Sequence, residues 1–212
     1  MIRNIIFDWS GTLVDDLPAV WHTSNALLEL AGRPRMSLEQ FRDEFELPFT
    51  KFYDRHTSHI SLPQLEAWFH AEFPKHQHSV VELPHARSLL EACRSRGIRT
   101  LLLSSIHPVQ YAEQSRRLGI GALLDHAYVG VRDKMARIHE LIRDHALDPG
   151  GTVFVGDMQH DIETARHGGM RSIAVLTGYN KRPQLEAASP DLLVEDLRAL
   201  HERLEAADFR SL

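Results

Sequence analysis

Hydrophobic positions along this chain fall into two textures. Short apolar runs bounded by turn residues occur at Ile5-Ile6-Phe7, Ile98 to Leu103, Ala127 to Val129, Thr152 to Val155, Ser172 to Leu176 and Leu192-Leu193-Val194. Runs of this length and composition predict strands buried on both faces. Between them, apolar residues recur at helical spacing: a helix beyond Pro84 stopped by Gly97, then Pro108 to Leu118, Asp133 to His145, a helix near Ile162 to His167, and Asp196 to Ala206. Strands alternating with helices imply right-handed crossovers and an α/β fold with a doubly wound, mostly parallel sheet. Its site is expected outside the carboxyl ends of the strands.

One segment breaks the alternation. Pro18 to Ala31, Leu38 to Glu46, Phe49 to Thr57 and Leu62 to Phe73 all read as helices, separated by Gly32 and Pro34, Pro48, Ser61-Leu62-Pro63 and Pro74, with no strand among them. Residues 17–82 are therefore expected to form an α-helical cap inserted after strand one, and residues 1–16 and 83–212 the core. Phe41, Phe45, Phe49, Phe52 and Tyr53 lie at near-helical spacing and read as the packing centre of that insertion. The histidines at 56, 59, 70, 76 and 78 have no cysteine or acidic partner at ligand spacing, so solvated or substrate-facing roles are expected rather than a transition-metal site.

Composition narrows the class. At 212 residues, with 43% hydrophobic and 25% charged residues, the chain has material for one ordinary core plus a small insertion and no sign of disorder. A net charge of −5 without a basic run argues against a nucleic-acid partner. No apolar run approaches a membrane span, and Met1-Ile2-Arg3-Asn4 leads straight into a strand, so a soluble, cytoplasmic protein is expected, as monomer or homodimer. The lone Cys93 excludes an intrachain disulfide and, beside Leu89-Leu90-Glu91-Ala92, reads as a core thiol rather than a nucleophile.

The chemistry gathers at strand ends. Asp8 closes the first strand just before Ser10-Gly11-Thr12, and Gly11 lets the chain turn away so that the carboxylate faces the crevice. In Val153-Phe154-Val155-Gly156-Asp157-Met158-Gln159-His160-Asp161 a second buried strand delivers two more acids around a tight turn. Three carboxylates so placed favour a hard divalent cation, Mg²⁺, held through oxygen. Ser104-Ser105 and Lys134 lie at or just beyond two other predicted strands. Taken singly, each has a plain explanation: Asp8 as a turn residue, Asp161 and Ser104 as helix caps, Lys134 as a solvated first-turn lysine. Their coincidence is the signal.

Together the segments Asp8-Trp9-Ser10-Gly11-Thr12, Ser104, Lys134 and Asp157 to Asp161 resemble the four motifs of the haloacid dehalogenase superfamily, in order and over nearly the whole chain. The resemblance is to the phosphoglycolate-phosphatase-like branch. It implies a Rossmann-like core and a small phosphorylated substrate. Asp8 would be the nucleophile that forms an aspartyl-phosphate, Thr12 and Ser104 with neighbouring Ser105 would bind phosphate, and Lys134 would neutralise the nucleophile. Mg²⁺ would be held by Asp8, the backbone carbonyl of Ser10, Asp157 and Asp161.

Position 10 departs from the pattern. The superfamily's first motif has a second Asp there, on the same side of the strand as the nucleophile, and Ser10 offers no carboxyl proton to a departing alkoxide. General acid–base help is worth roughly 10²–10⁴ in rate. Three readings follow: a phosphatase with a relayed proton or reduced acid assistance; carbon–phosphorus cleavage resembling phosphonoacetaldehyde hydrolase, whose first motif is similar at Trp9-Ser10 and whose cap lysine would correspond to Lys51; and a non-catalytic phosphate-binding interaction protein.

Overall fold

The structure is a computed structural model and describes residues 1–211. Six parallel strands form the central sheet: β1 (Asn4–Phe7), β4 (Arg99–Leu103), β5 (His126–Tyr128), β6 (Thr152–Gly156), β7 (Arg171–Val175) and β8 (Leu192–Val194), in the order β5-β4-β1-β6-β7-β8. Strand β1 is central, with Phe7 in register with Leu102 on one side and Val155 on the other. Its continuous apolar run is explained by the layers on both faces. Ile5 and Phe7 pack with Leu89, Leu90 and Cys93 of α5 (Ala86–Ser95) and Leu197, Leu200 and Leu204 of α10 (Leu197–Ala206). Ile6 points the other way, to Ile138 and Leu141 of α7 (Lys134–Asp144) and Ala165 of α8 (Gln159–His167). This two-residue alternation is what a parallel sheet covered by helices requires. Cys93 is fully buried, and burial pushes its thiol up to about 12, in keeping with a packing role.

The insertion holds α1 (Leu17–Leu30), α2 (Leu38–Glu44), α3 (Thr50–Thr57) and α4 (Leu62–His76). Helix α2 starts on a capping box, the Ser37 hydroxyl accepting from Gln40 N–H while the Gln40 side chain accepts from Ser37 N–H. Phe41, Phe45, Phe52 and Tyr53 form the apolar centre expected of them, together with Leu27 and Leu65, and this cluster continues into Met158 and Tyr179 of the sheet domain. Phe49 is only half-buried.

Three local features differ from the sequence expectation. Two short strands, β2 (Val14–Asp15) and β3 (Val81–Glu82), pair antiparallel and join the two ends of the insertion, so residues 81–82 belong to a ribbon rather than to a helical tail. A two-residue strand carries no readable periodicity. Helix α4 runs through Pro74 to His76 instead of stopping at Phe73. Helix α9 (Arg182–Ala188) was hidden because its polar sequence buries only Leu185. Helix α6 (Pro108–Leu118) and the 3-10 turns at Gln77–Ser79, Ile120–Leu123 and Pro149–Gly151 complete the chain.

Phe52 is fully buried, its ring centroid 5.5 Å from those of both Phe41 and Phe45. Phe52→Ala is expected to cost about 3–5 kcal/mol of stability. Denaturant unfolding followed by tryptophan fluorescence will read this as an earlier midpoint.

Candidate active site

The carboxyl ends of β1 and β6 deliver the acids. Asp8 follows Phe7 directly and is anchored by its N–H donating to Val155 O at 2.9 Å. Gly11, at φ +73°, makes the turn that follows, and a Cβ there would overlap the Asp157 carboxylate. Gly178 packs against Gly11, and a Cβ there would overlap the same carboxylate. Two glycines thus let two loops close around one acid.

Asp8, Asp157 and Asp161 are all buried, with one oxygen of each within 4.8 Å of the others. Lys134 is fully buried among them, its Nζ 2.8 Å from Asp8 Oδ1 and 2.6 Å from Asp161 Oδ1. The solvated-lysine explanation is therefore wrong for this residue. Burial works against its charged form, but the Asp161 and Asp8 carboxylates outweigh that and hold the ammonium above its ordinary range. Its own backbone N–H donates to His160 Nε2 at 3.2 Å. Burial, reinforced by the Lys134 charge, pushes His160 down to about 4, so it stays a neutral acceptor.

The carboxylates are held individually. Asp157 accepts from the Thr12 hydroxyl at 3.0 Å and from Tyr179 N–H at 2.7 Å, and Asp161 accepts from Met158 N–H at 3.1 Å. Thr12 is thus a partner of Asp157. Asp8 Oδ1 has the lysine as an ionic neighbour but accepts no aligned hydrogen bond. Burial first, then the other carboxylates, raises Asp8 and, more strongly, Asp157 above the usual range for aspartate. Three anions against one ammonium leave the cluster short of positive charge. An all-oxygen donor set with an unpartnered buried oxygen fits a hard divalent cation.

Asp8 forms the floor of a cavity of about 400 Å³ between sheet and insertion, whose wall includes Ser10 and Ser105, and Asp157 and Asp161 lie buried beside it. Ser104 is buried at the end of β4, its Oγ accepting from Ile106 N–H at 3.3 Å, a bond that does not consume the hydroxyl proton. Lys51 stands apart from the other sequence candidates. Its side chain is exposed on the polar side of α3, 3.8 Å from Glu46, while its neighbours Phe52 and Tyr53 take the buried positions. Among the described residues no lysine lines the cavity, and a Schiff-base role for Lys51 has no geometric support. Trp9 faces the core, donating to Gln114 Oε1 at 2.7 Å, so its likeness to the phosphonate-cleaving motif reflects packing.

Two residues outside the motif positions complete this site. Asp16 is buried on the cavity wall, accepting from the Ser10 hydroxyl at 2.6 Å and from the Tyr179 hydroxyl at 3.0 Å. Tyr179, in the loop after β7, joins Asp16 through its hydroxyl and Asp157 through its N–H. The readable signal was a second acid beside Asp15 immediately ahead of a helix, which is also what an ordinary cap looks like.

With this geometry established, similarity to known proteins becomes specific. Residues 5–175 match the model of the haloacid dehalogenase-like hydrolases. This chain belongs to that family. Its relatives include a phosphoglycolate phosphatase of Synechococcus elongatus, 28% identical over 92% of this chain and 93% of its own length. Another, from Pseudomonas putida, is 24% identical over 93% and 78%. Among solved structures, a predicted phosphatase from Clostridium acetobutylicum superimposes with a TM-score of 0.87 at 15% identity, covering 97% of this chain and 99% of that one. A predicted phosphoglycolate phosphatase from Haemophilus somnus gives 0.78 at 20% identity, covering 97% and 98%. At these identities the structures establish a shared fold. As a hydrolase of this family, the protein has Asp8, Lys134 and the Asp157/Asp161 pair at the motif positions and Ser10 in place of the first motif's second acid.

Burial raises Asp16 to about 7, with the Ser10 and Tyr179 hydrogen bonds opposing it only in part. A carboxyl raised on folding favours the native state fully below its unfolded value near 3.8, and that contribution is lost as pH climbs to about 7. In chelator, Asp16→Asn should therefore cost less stability at pH 7.5 than at pH 5. The difference is at most about 3 kcal/mol, and urea melts at the two pH values measure it.

Proposed function

We propose that this protein is a Mg²⁺-dependent phosphatase that hydrolyses a small phosphorylated substrate through an aspartyl-phosphate on Asp8. The observation that carries this reading is the buried cluster of Asp8, Lys134, Asp157 and Asp161, which meets the cavity at Asp8. The relatives named as phosphoglycolate phosphatases support the reaction class.

An Asp8 oxygen attacks phosphorus, forming one P–O bond as the ester P–O bond breaks and the leaving oxygen carries away the electron pair. Water then adds to phosphorus and breaks its bond to the Asp8 oxygen, releasing inorganic phosphate and restoring the carboxylate. Asp8, Asp157, Asp161 and the Ser10 carbonyl would hold the ion, which supplies positive charge against the meeting of two anions. Lys134 contributes a second positive charge beside Asp8. Asp161 keeps that ammonium in place from the far side. Thr12 and Tyr179 orient Asp157, fixing which of its lone pairs faces the cluster. Ser104 and Ser105 supply hydroxyl donors for phosphate oxygens. The helical insertion, residues 17–82, serves as the cap that covers the cavity and excludes bulk water during attack.

Phosphate release from p-nitrophenyl phosphate should require Mg²⁺, disappear in chelator and return when the ion is restored. Asp8→Asn should lower kcat by on the order of 10³ or more with the fold intact by circular dichroism. Activity of Asp8→Asn equal to the native enzyme would remove the nucleophile from the scheme. Lys134→Met should likewise leave little turnover, because burial then strands Asp8 and Asp161 without their shared cation.

A further inference from the structure

The walls of the cavity differ in kind from its floor. Above Asp8 they are built from Leu27, Phe45, Phe49, Leu65 and Phe69 of the insertion and Ile106 of the sheet domain. The ionisable side chains on them are carboxylates apart from one arginine and two histidines. Asp16 and Glu66 face the space, and the single cationic side chain, Arg132, donates to Glu66 at 2.6 Å across the rim, more than half exposed. His70 and His107 lie against each other at 4.2 Å between ring centroids, and burial, with His70 beside it, lowers His107 toward its neutral form. No unpaired Lys or Arg is aimed at the region where the organic part of a phosphomonoester would lie, among the described residues.

A carboxylate on the substrate, as in phosphoglycolate, would enter a largely apolar enclosure already carrying Asp8 and find no unpaired Lys or Arg to meet it. An uncompensated buried charge is disfavoured far more than lost apolar contact. Size points the same way. A cavity near 150 Å³ takes benzene, and this one is about 400 Å³, so a two-carbon acid would leave most of its apolar wall uncovered. Resting on the phosphatase reading above, we infer that the substrate is a phosphomonoester whose organic group is uncharged and predominantly apolar, of one-ring size or larger, seated between Phe45, Phe49 and Phe69.

Hexyl phosphate and 2-phosphoglycolate both leave as alkoxides, so comparing them isolates the cavity's preference from leaving-group acidity. With Mg²⁺ and the full chain, hexyl phosphate should show a KM at least tenfold lower and the higher kcat/KM. Along the series ethyl, butyl, hexyl phosphate, KM should fall by about fourfold per methylene until the space is filled, from the usual worth of a buried methylene. Phe49→Arg, at a half-buried position, should reverse the order by weakening hexyl phosphate and improving phosphoglycolate, a gain that misfolding would not produce. A lower KM for phosphoglycolate than for hexyl phosphate in the native enzyme, or no chain-length dependence, would overturn the inference. If no ester is hydrolysed at all, the phosphatase reading fails separately. Calorimetric titration with hexylphosphonate against phosphonoacetate then still decides the ligand class, tighter phosphonoacetate refuting it.

Discussion

The site depends on an imbalance of buried charge. Three carboxylates converge where two parallel strands end, and one ammonium, Lys134, touches two of them. Left to itself such a cluster disfavours the folded chain, since each ion gives up its hydration and the anions repel one another. The fold supplies partial compensation from fixed donors: backbone N–H groups of Tyr179 and Met158 and the Thr12 hydroxyl. What remains uncompensated is negative. That deficit suits a divalent cation, and the close approach of two loops to Asp157 is why positions 11 and 178 are glycines.

Strand boundaries and the parallel topology were legible because a doubly covered sheet writes itself as unbroken apolar runs between helical periods. Asp8, Asp157 and Asp161 were legible because they sit at fixed offsets from those runs. Lys134 was legible only by its company: nothing in Asp133-Lys134-Met135 distinguishes a buried ammonium from a solvated one. Thr12 and Ser104 were found at the right places, but the structure gives Thr12 a structural partner in Asp157. The meeting of Asp16 with Tyr179 was illegible, because the two lie 163 residues apart and no local pattern encodes it. The ribbon of β2 and β3 was missed for the same reason.

Position 10 is where this chain parts from its family's pattern, and the structure changes how that departure is understood. The carboxyl has not simply vanished from the neighbourhood. Asp16 stands 2.6 Å from the Ser10 hydroxyl, so the loop after β1 still carries an acid, displaced by one hydroxyl from the place where a direct donor to the leaving group would stand. Tyr179 ties the same acid to the loop after β7. The apolar cluster of the insertion also reaches Tyr179 and Met158, so the packing of Phe41 and Phe45 and the electrostatics of the floor share a residue. Changes in the aromatic centre of the insertion will therefore be felt at the carboxylates.

The β2–β3 ribbon brings the entry and exit of the insertion side by side, with Val14 opposite Glu82 and Leu83 N–H bonded to Leu13 O at 3.0 Å. An excursion whose two ends are stitched together imposes no register on the six-stranded sheet beneath it. The chain between the stitches is free to lengthen, shorten or be exchanged wholesale over evolutionary time, so a lineage could acquire new selectivity by grafting there while inheriting the reaction centre unchanged.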